Sequence, residues 1–251
     1  MEENVKHSKN DEGYEYIVHN LSDVHINMEE ACNKSGRSPE SVKLIAVSKT
    51  KPFEELLAAY NAGERIFGEN KVQEICEKYE RINEMPGAVF HMIGHLQTNK
   101  VKYIIDKVAM IHSVDSLHLA KEIDKRARQH GLVMDILIQV NSAMEESKFG
   151  ITTEETGKMI DDILRECPNI RIRGLMCIAP FEDNPDDARV YFAEVKKLYD
   201  EYAKVHHPNL DFKYLSMGMS NDFEVAVEEG SNLIRVGTSI FGARDYSKKM
   251  G

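Results

Sequence analysis

A single alternation constrains this chain more than any other feature. A short apolar run, a polar loop and an amphipathic helical stretch follow one another along nearly its whole length. Alternation of this kind builds parallel strands joined by crossover helices. The strands are read at 42–48, 65–67, 88–93, 110–113, 134–141, 172–178, 213–216 and 233–236. Runs such as Leu44-Ile45-Ala46-Val47 and Ile136-Leu137-Ile138 are apolar on both faces, as strands covered on both sides must be. Helices fit at 21–34, 53–61, 71–82, 98–106, 116–130, 153–166, 185–206 and 221–229. Their ends carry ordinary punctuation: Pro52 before the second, Gly131 after the fifth, Thr153-x-x-Thr156 opening the sixth, and Asn221-x-x-Glu224 as a capping box on the last. Eight strands in 251 residues predict an α/β fold, a single (β/α)8 TIM barrel with an extra N-terminal helix. The competing architecture is an open doubly wound sheet, but no G-x-G-x-x-G fingerprint follows a strand. Residues 1–251 are expected to form one domain, with 1–16 a polar, poorly ordered tail.

Composition narrows the function. Lys and Arg number 32 against 42 Asp and Glu, a net charge of −10, which disfavours a phosphate-backbone partner such as nucleic acid. The four cysteines, Cys32, Cys76, Cys167 and Cys177, have no C-x-x-C spacing and suit a reduced compartment. The N-terminus has no apolar targeting core and no stretch reaches membrane-spanning length, so a cytoplasmic protein without a membrane partner is expected.

In a barrel, chemistry gathers where strands end. Here those exits are rich in polar groups: Ser48-Lys49-Thr50-Lys51, Gly68-Glu69-Asn70, Gly94-His95, His112-Ser113, Asn141 with Lys148, Ser216 to Asn221, and Arg235-Val236-Gly237-Thr238. Such an arrangement predicts one convergent pocket. Lys49 follows directly on an apolar strand, where desolvation and the like charge of Lys51 favour a neutral amine, the form that condenses with carbonyls. Position alone leaves an equal alternative, a lysine snorkelling to solvent. Gly218, which allows a close backbone approach to a ligand, Ser220 at a helix start, and the Gly237-Thr238 turn supply anion-binding chemistry after strands seven and eight. Capping alone would explain Asn221 but not the likeness of two adjacent loops. Asp222 and Glu224 would repel an anion there unless they point outward. Arg235 lies just inside that turn and could face a phosphate or a ring nitrogen. Held against a pyridine nitrogen, its fixed charge would keep that nitrogen unprotonated and weaken the ring as an electron sink. The charge-rich segment Glu74 to Arg81 reads as a solvated helix face, and Cys177 as a small buried thiol.

The stretches Leu44-Ile45-Ala46-Val47-Ser48-Lys49-Thr50-Lys51-Pro52, Phe67-Gly68-Glu69-Asn70, Ile93-Gly94-His95-Leu96-Gln97-Thr98-Asn99-Lys100, Leu215-Ser216-Met217-Gly218-Met219-Ser220 and Ile234-Arg235-Val236-Gly237-Thr238 resemble the pyridoxal phosphate homeostasis protein family, also called the proline synthetase co-transcribed homologue family. The resemblance runs from about Val42 to Tyr246. It implies a barrel similar to the alanine racemase N-terminal domain, with pyridoxal 5′-phosphate (PLP) as cofactor. By resemblance, Lys49 is the Schiff-base lysine, Ser220, Gly237 and Thr238 hold the phosphate, Arg235 faces the ring nitrogen, and Asn70 and His95 line the pocket. Lys51 and Lys148 resemble secondary lysines near the cofactor. No metal and no catalytic residue are implied.

The implied role is PLP homeostasis and amino-acid and keto-acid balance without robust turnover, so the chain is expected not to be an enzyme. PLP-dependent apo-enzymes are the recipients this role implies, and a monomer or weak dimer is expected. The alanine racemase family takes its second base from a separate β-domain, and no such domain is expected here after the eighth strand. An open barrel mouth suits binding and handing on of PLP. The alternative is a PLP-dependent enzyme such as an amino-acid racemase, with His95 or a tyrosine as second base. A third reading, a metal-dependent hydrolase on His91, His95 and His112, lacks a carboxylate-rich ligand set.

Overall fold

The computed structural model describes residues 13–143 and 149–243. Eight parallel strands, β1 (Lys43–Val47), β2 (Ile66–Glu69), β3 (Val89–Met92), β4 (Val108–Val114), β5 (Met134–Val140), β6 (Ile170–Cys177), β7 (Leu210–Ser216) and β8 (Leu233–Val236), close into a barrel in chain order. Each lies near its expected position. The closure is β1 on β8, in the register Ile45↔Arg235 and Ala46↔Val236.

The pleat sorts residues into two layers. Ile45, Val47, Ile93, Met110, Leu137, Met176 and Leu233 pack together inside the barrel. The alternate residues, among them Leu44, Ala46, Phe67, Phe90, Ile111, Ile234 and Val236, face outward and form the larger core under the helices. Strands buried on both faces in this way explain the near-continuous apolar runs.

The helices are α1 (Glu15–Lys34), α2 (Phe53–Asn61), α3 (Val72–Tyr79), α4 (Leu117–Gln129), α5 (Thr153–Glu166), α6 (Arg189–Tyr202), α7 (Phe223–Glu228) and α8 (Thr238–Phe241). The extra N-terminal helix α1 packs on α2, α7 and α8. It begins at Glu15 rather than at residue 21, because Ile17 extends the buried stripe Leu21, Val24, Met28, Ala31 by one more turn. Residues 1–12 of the expected tail lie outside the described residues.

Four expected helices change at their ends or in kind. The segment 98–106 holds only a 3-10 turn, Thr98–Tyr103, although Val101, Ile104 and Ile105 are buried at the helical spacing that suggested a longer helix. The segment 185–206 opens with a separate 3-10 turn, Pro185–Ala188, before α6. The capping box of α5 is built by Thr152 with Glu155, one residue ahead of Thr153. Asn221 does not cap α7: its side-chain amide donates to the Glu182 carbonyl at 3.3 Å. Asp222 instead accepts the Met219 N–H at 2.6 Å and closes the loop on itself. All four cysteines are thiols. Among the described residues no helix is long and apolar enough to cross a membrane.

Candidate functional site

The inward parity of Ile45 and Val47 carries on to Lys49, which is half-buried just beyond the end of β1. The turn that presents it is held tightly. Thr50 adopts φ 66°, a left-handed conformation unusual for a β-branched residue. The Lys51 N–H closes the turn on the Ser48 carbonyl at 3.1 Å. Three side chains from β2 and α3 reach this turn. Ser48 Oγ donates to Glu69 Oε1 at 2.6 Å, Lys78 Nζ donates to the Ser48 carbonyl at 2.8 Å and to Glu69 Oε1 at 2.6 Å, and Glu74 Oε2 accepts the Thr50 N–H.

The β1–β8 pairing sets Gly237 against this end of β1. A methyl group at Gly237 would lie 3.0 Å from the Val47 carbonyl oxygen. Across the same mouth, Ser220 Oγ accepts N–H groups from both Gly237 (3.2 Å) and Ser239 (3.4 Å). Two backbone donors thus converge on one oxygen, the arrangement of an anion cradle. Thr238 is exposed between them. Gly218 serves a different end from the expected one. Its φ is 88° and a methyl there would meet Ala226 Cβ at 2.6 Å and Phe223 Cα at 2.8 Å, so it permits close packing of the loop on α7 rather than approach to a ligand. Asp222 is buried and turned to the Met219 N–H, and burial raises its carboxyl above the usual range.

Beneath the cradle, Arg235 is buried on the inward face of β8. It donates to Ser216 Oγ at 2.7 Å and to the Cys177 carbonyl at 2.8 Å, and burial lowers its affinity for a proton. Ser216 Oγ also lies 3.2 Å from His112 Nδ1, and His112 Nε2 lies 3.0 Å from His91 Nδ1. A guanidinium only donates, so Ser216 accepts from it and keeps both its O–H and a second lone pair for His112 Nδ1. Burial holds both imidazoles neutral: His91 is lowered to about 3, and His112 well below its usual value. The two histidines engage each other, while His95 sits elsewhere, so the three do not share a centre.

Asn70 and His95 come together through Gly94, where a methyl would lie 2.5 Å from the Asn70 carbonyl oxygen. Both line a cavity of about 590 Å³ with Lys71, Glu74, Gln97 and Lys100, whereas Lys49, Ser220, Arg235, Gly237 and Thr238 are not among its lining residues. His95 Nδ1 is 3.6 Å from Asp115, and its ring stacks on Phe149 at 3.8 Å. Lys51 turns away to the Phe241 carbonyl and lies 3.5 Å from Glu55. Lys148 lies outside the described residues.

Sequence reasoning missed Lys78 and Ser239. The segment Glu74 to Arg81 is not a uniformly solvated face: Lys78 is 6% exposed and Glu74 is half-buried. The available signal was spacing, since Val72, Ile75 and Lys78 fall at intervals of three along one buried face.

A closed parallel barrel with a lysine at the end of β1, an N–H cradle after β7 and β8 and a buried arginine between them defines a barrel of the alanine racemase N-terminal type. The family model described as "Alanine racemase, N-terminal domain" matches residues 20–245. Proteins named pyridoxal phosphate homeostasis protein match closely: that of Aquifex aeolicus is 45% identical over 226 residues, covering 90% of this chain and 97% of its own. That of Escherichia coli K12 is 39% identical over 238 residues, covering 93% and 99%. PipY of Synechococcus elongatus PCC7942, solved with PLP bound, superposes with a TM-score of 0.77 at 33% identity over 90% of this chain and all of its own. The chain belongs to the pyridoxal phosphate homeostasis protein family.

Proposed function

We propose that this chain binds PLP covalently through Lys49 and acts in PLP homeostasis, holding the cofactor and giving it up rather than turning over a substrate with it. Lys49 would supply the amine that condenses with the PLP aldehyde, the aldehyde oxygen being lost as water. Gly237 and Ser239 N–H groups, with Ser220 and Thr238, receive the phosphate, and Ser220 Oγ now accepts the hydrogen bonds that a phosphate oxygen would take. Arg235 faces the ring nitrogen. Its guanidinium is already satisfied by Ser216 and the Cys177 carbonyl, so it is fixed in direction before PLP arrives. Asn70 and His95 wall the other side. Lys51 and Lys148 are the secondary lysines of this reading, near the cofactor without being its usual attachment point.

The single observation that carries this reading is the β1–β8 register, which sets the lysine-bearing turn against the N–H cradle. PipY, solved with PLP bound, supports it. Further parts of the reading are residues 1–251 acting as one unit, a cytoplasmic setting, PLP-dependent apo-enzymes as recipients and a monomeric or weakly dimeric state. Titration with PLP tests it: the wild-type protein develops a saturable visible absorbance band, Lys49→Ala loses most of it and Lys51→Ala keeps it. A band unchanged in Lys49→Ala contradicts the assignment.

A further inference from the structure

The turn carrying Lys49 is gripped on both flanks by Glu69, Lys78 and Glu74, of which Glu69 and Lys78 lie outside the cavity lined by Asn70 and His95 while Glu74 also lines it. On one flank, Ser48 is bound twice: its hydroxyl donates to Glu69 and its carbonyl accepts from Lys78. On the other, the Thr50 N–H is held by Glu74, at the residue with positive φ. Lys78 joins the two grips, since its amine also contacts Glu69 at 2.6 Å and Glu74 at 3.7 Å. These ionisable groups are largely withdrawn from water: the side chains of Glu69 and Lys78 are 0% and 7% exposed, and that of Glu74 is 17% exposed. One carboxylate oxygen, Glu69 Oε2, is buried with no hydrogen-bond partner. A protein core disfavours such a cluster, and an apolar replacement of the same shape is often as stable. Burial of α3 does not require it, because Val72 and Ile75 already belong to the outer core. What the cluster does uniquely is fix a strained turn whose middle residue is Lys49.

We infer that Lys78, with Glu69 and Glu74, is a positioning residue for Lys49: the cluster holds the lysine-bearing turn in the conformation from which the amine meets the cofactor aldehyde. The inference rests on the proposed PLP chemistry. Without the cluster, Thr50 relaxes toward negative φ and the Lys49 stem swings with it. The phosphate cradle, carried by β7 and β8, is untouched. Non-covalent docking and covalent capture should therefore separate.

The test compares wild-type protein, the double variant Glu69→Gln/Lys78→Met and the single variant Glu74→Ala. The double variant leaves no buried charge unpaired, so it is the form of the cluster knock-out that folds; Glu74→Ala removes the second grip at a less buried position. Two quantities are measured on each: the rate of covalent PLP capture, and the dissociation constant of 4′-deoxypyridoxine 5′-phosphate, which has the ring and phosphate but no aldehyde. Both variants are expected to capture PLP about tenfold to a hundredfold more slowly, as small misplacements of reacting groups do, and the double variant, whose two positions lie outside the cavity lining, is expected to bind the deoxy analogue as the wild type does. Unchanged capture in both variants overturns the inference. So does a parallel loss of analogue binding in the double variant, which would make the cluster a general support of the fold. Wild-type protein that fails to capture PLP at all overturns the proposed function itself, a result separable from the other two.

Discussion

Lys78→Met is expected to cost about 3–5 kcal/mol of folding stability at a mildly alkaline pH and much less in mild acid. The variant strands the Glu69 carboxylate in a site without water, with Ser48 Oγ as its remaining donor. A stranded carboxylate escapes by taking a proton, so the cost is set by how hard protonation is at the working pH. In the wild type, burial already pushes Glu69 up from 4.5 to about 7, against the opposing pull of Lys78. The folded state therefore holds a proton that the unfolded state has released between those two values. Over that window stability falls as pH rises. Without Lys78 the folded value moves higher still and the window extends upward. Urea denaturation at several pH values reads this directly. A penalty for Lys78→Met that is flat with pH would show that Glu69 is not the group responsible. Glu69→Gln/Lys78→Met should recover most of the loss and flatten the profile.

Gly174→Ala is expected to be the most damaging single methyl in the chain. Gly174 lies in β6 where the register on β7 shifts, and its φ is 141°, which side-chain-bearing residues rarely adopt. An added Cβ would sit 1.8 Å from the Tyr214 carbonyl oxygen and 2.8 Å from its carbon. Both atoms belong to backbone, so no rotamer relieves the clash, and the β6–β7 ladder must part. A loss of about 4 kcal/mol or more is expected, the range reserved for broken cores and strained backbone. The effect reaches the site, because β6 ends at the carbonyl that holds Arg235 and β7 leads to Ser216 and Ser220. Thermal melting checks the stability. A melting temperature within a few degrees of wild type would mean that the bulge re-forms around the methyl group.

The fold was legible because burial on both faces of a strand leaves a mark that survives in one dimension. Leu44 to Val47 and Ile136 to Ile138 could not be amphipathic strands, and eight such runs between helical stretches left few architectures. The expected site residues that are described, which leaves out Lys148, follow strands at one end of the barrel for a related reason: strand exits follow from strand ends, and the pleat then assigns each residue a face. What stayed hidden depends on distance across the barrel. Spacing places Lys78 on the buried face of α3, but nothing local shows that Glu69 and the Ser48 carbonyl wait beneath it. Ser216 reads only as the hydroxyl at a strand's end until β4, β7 and β8 come together and join His112 to Arg235. Gly218 misled for the opposite reason. A glycine beside an anion-binding loop invites a ligand, whereas here α7 takes up the space.

Reducing the PLP-loaded protein with borohydride and mapping the modified peptide tests the core of this account. The label should fall predominantly on Lys49, with Lys51, which is tied to the Phe241 carbonyl, carrying little. Label shared evenly among surface lysines, or concentrated on Lys51 while Lys49 stays unmodified, would contradict it.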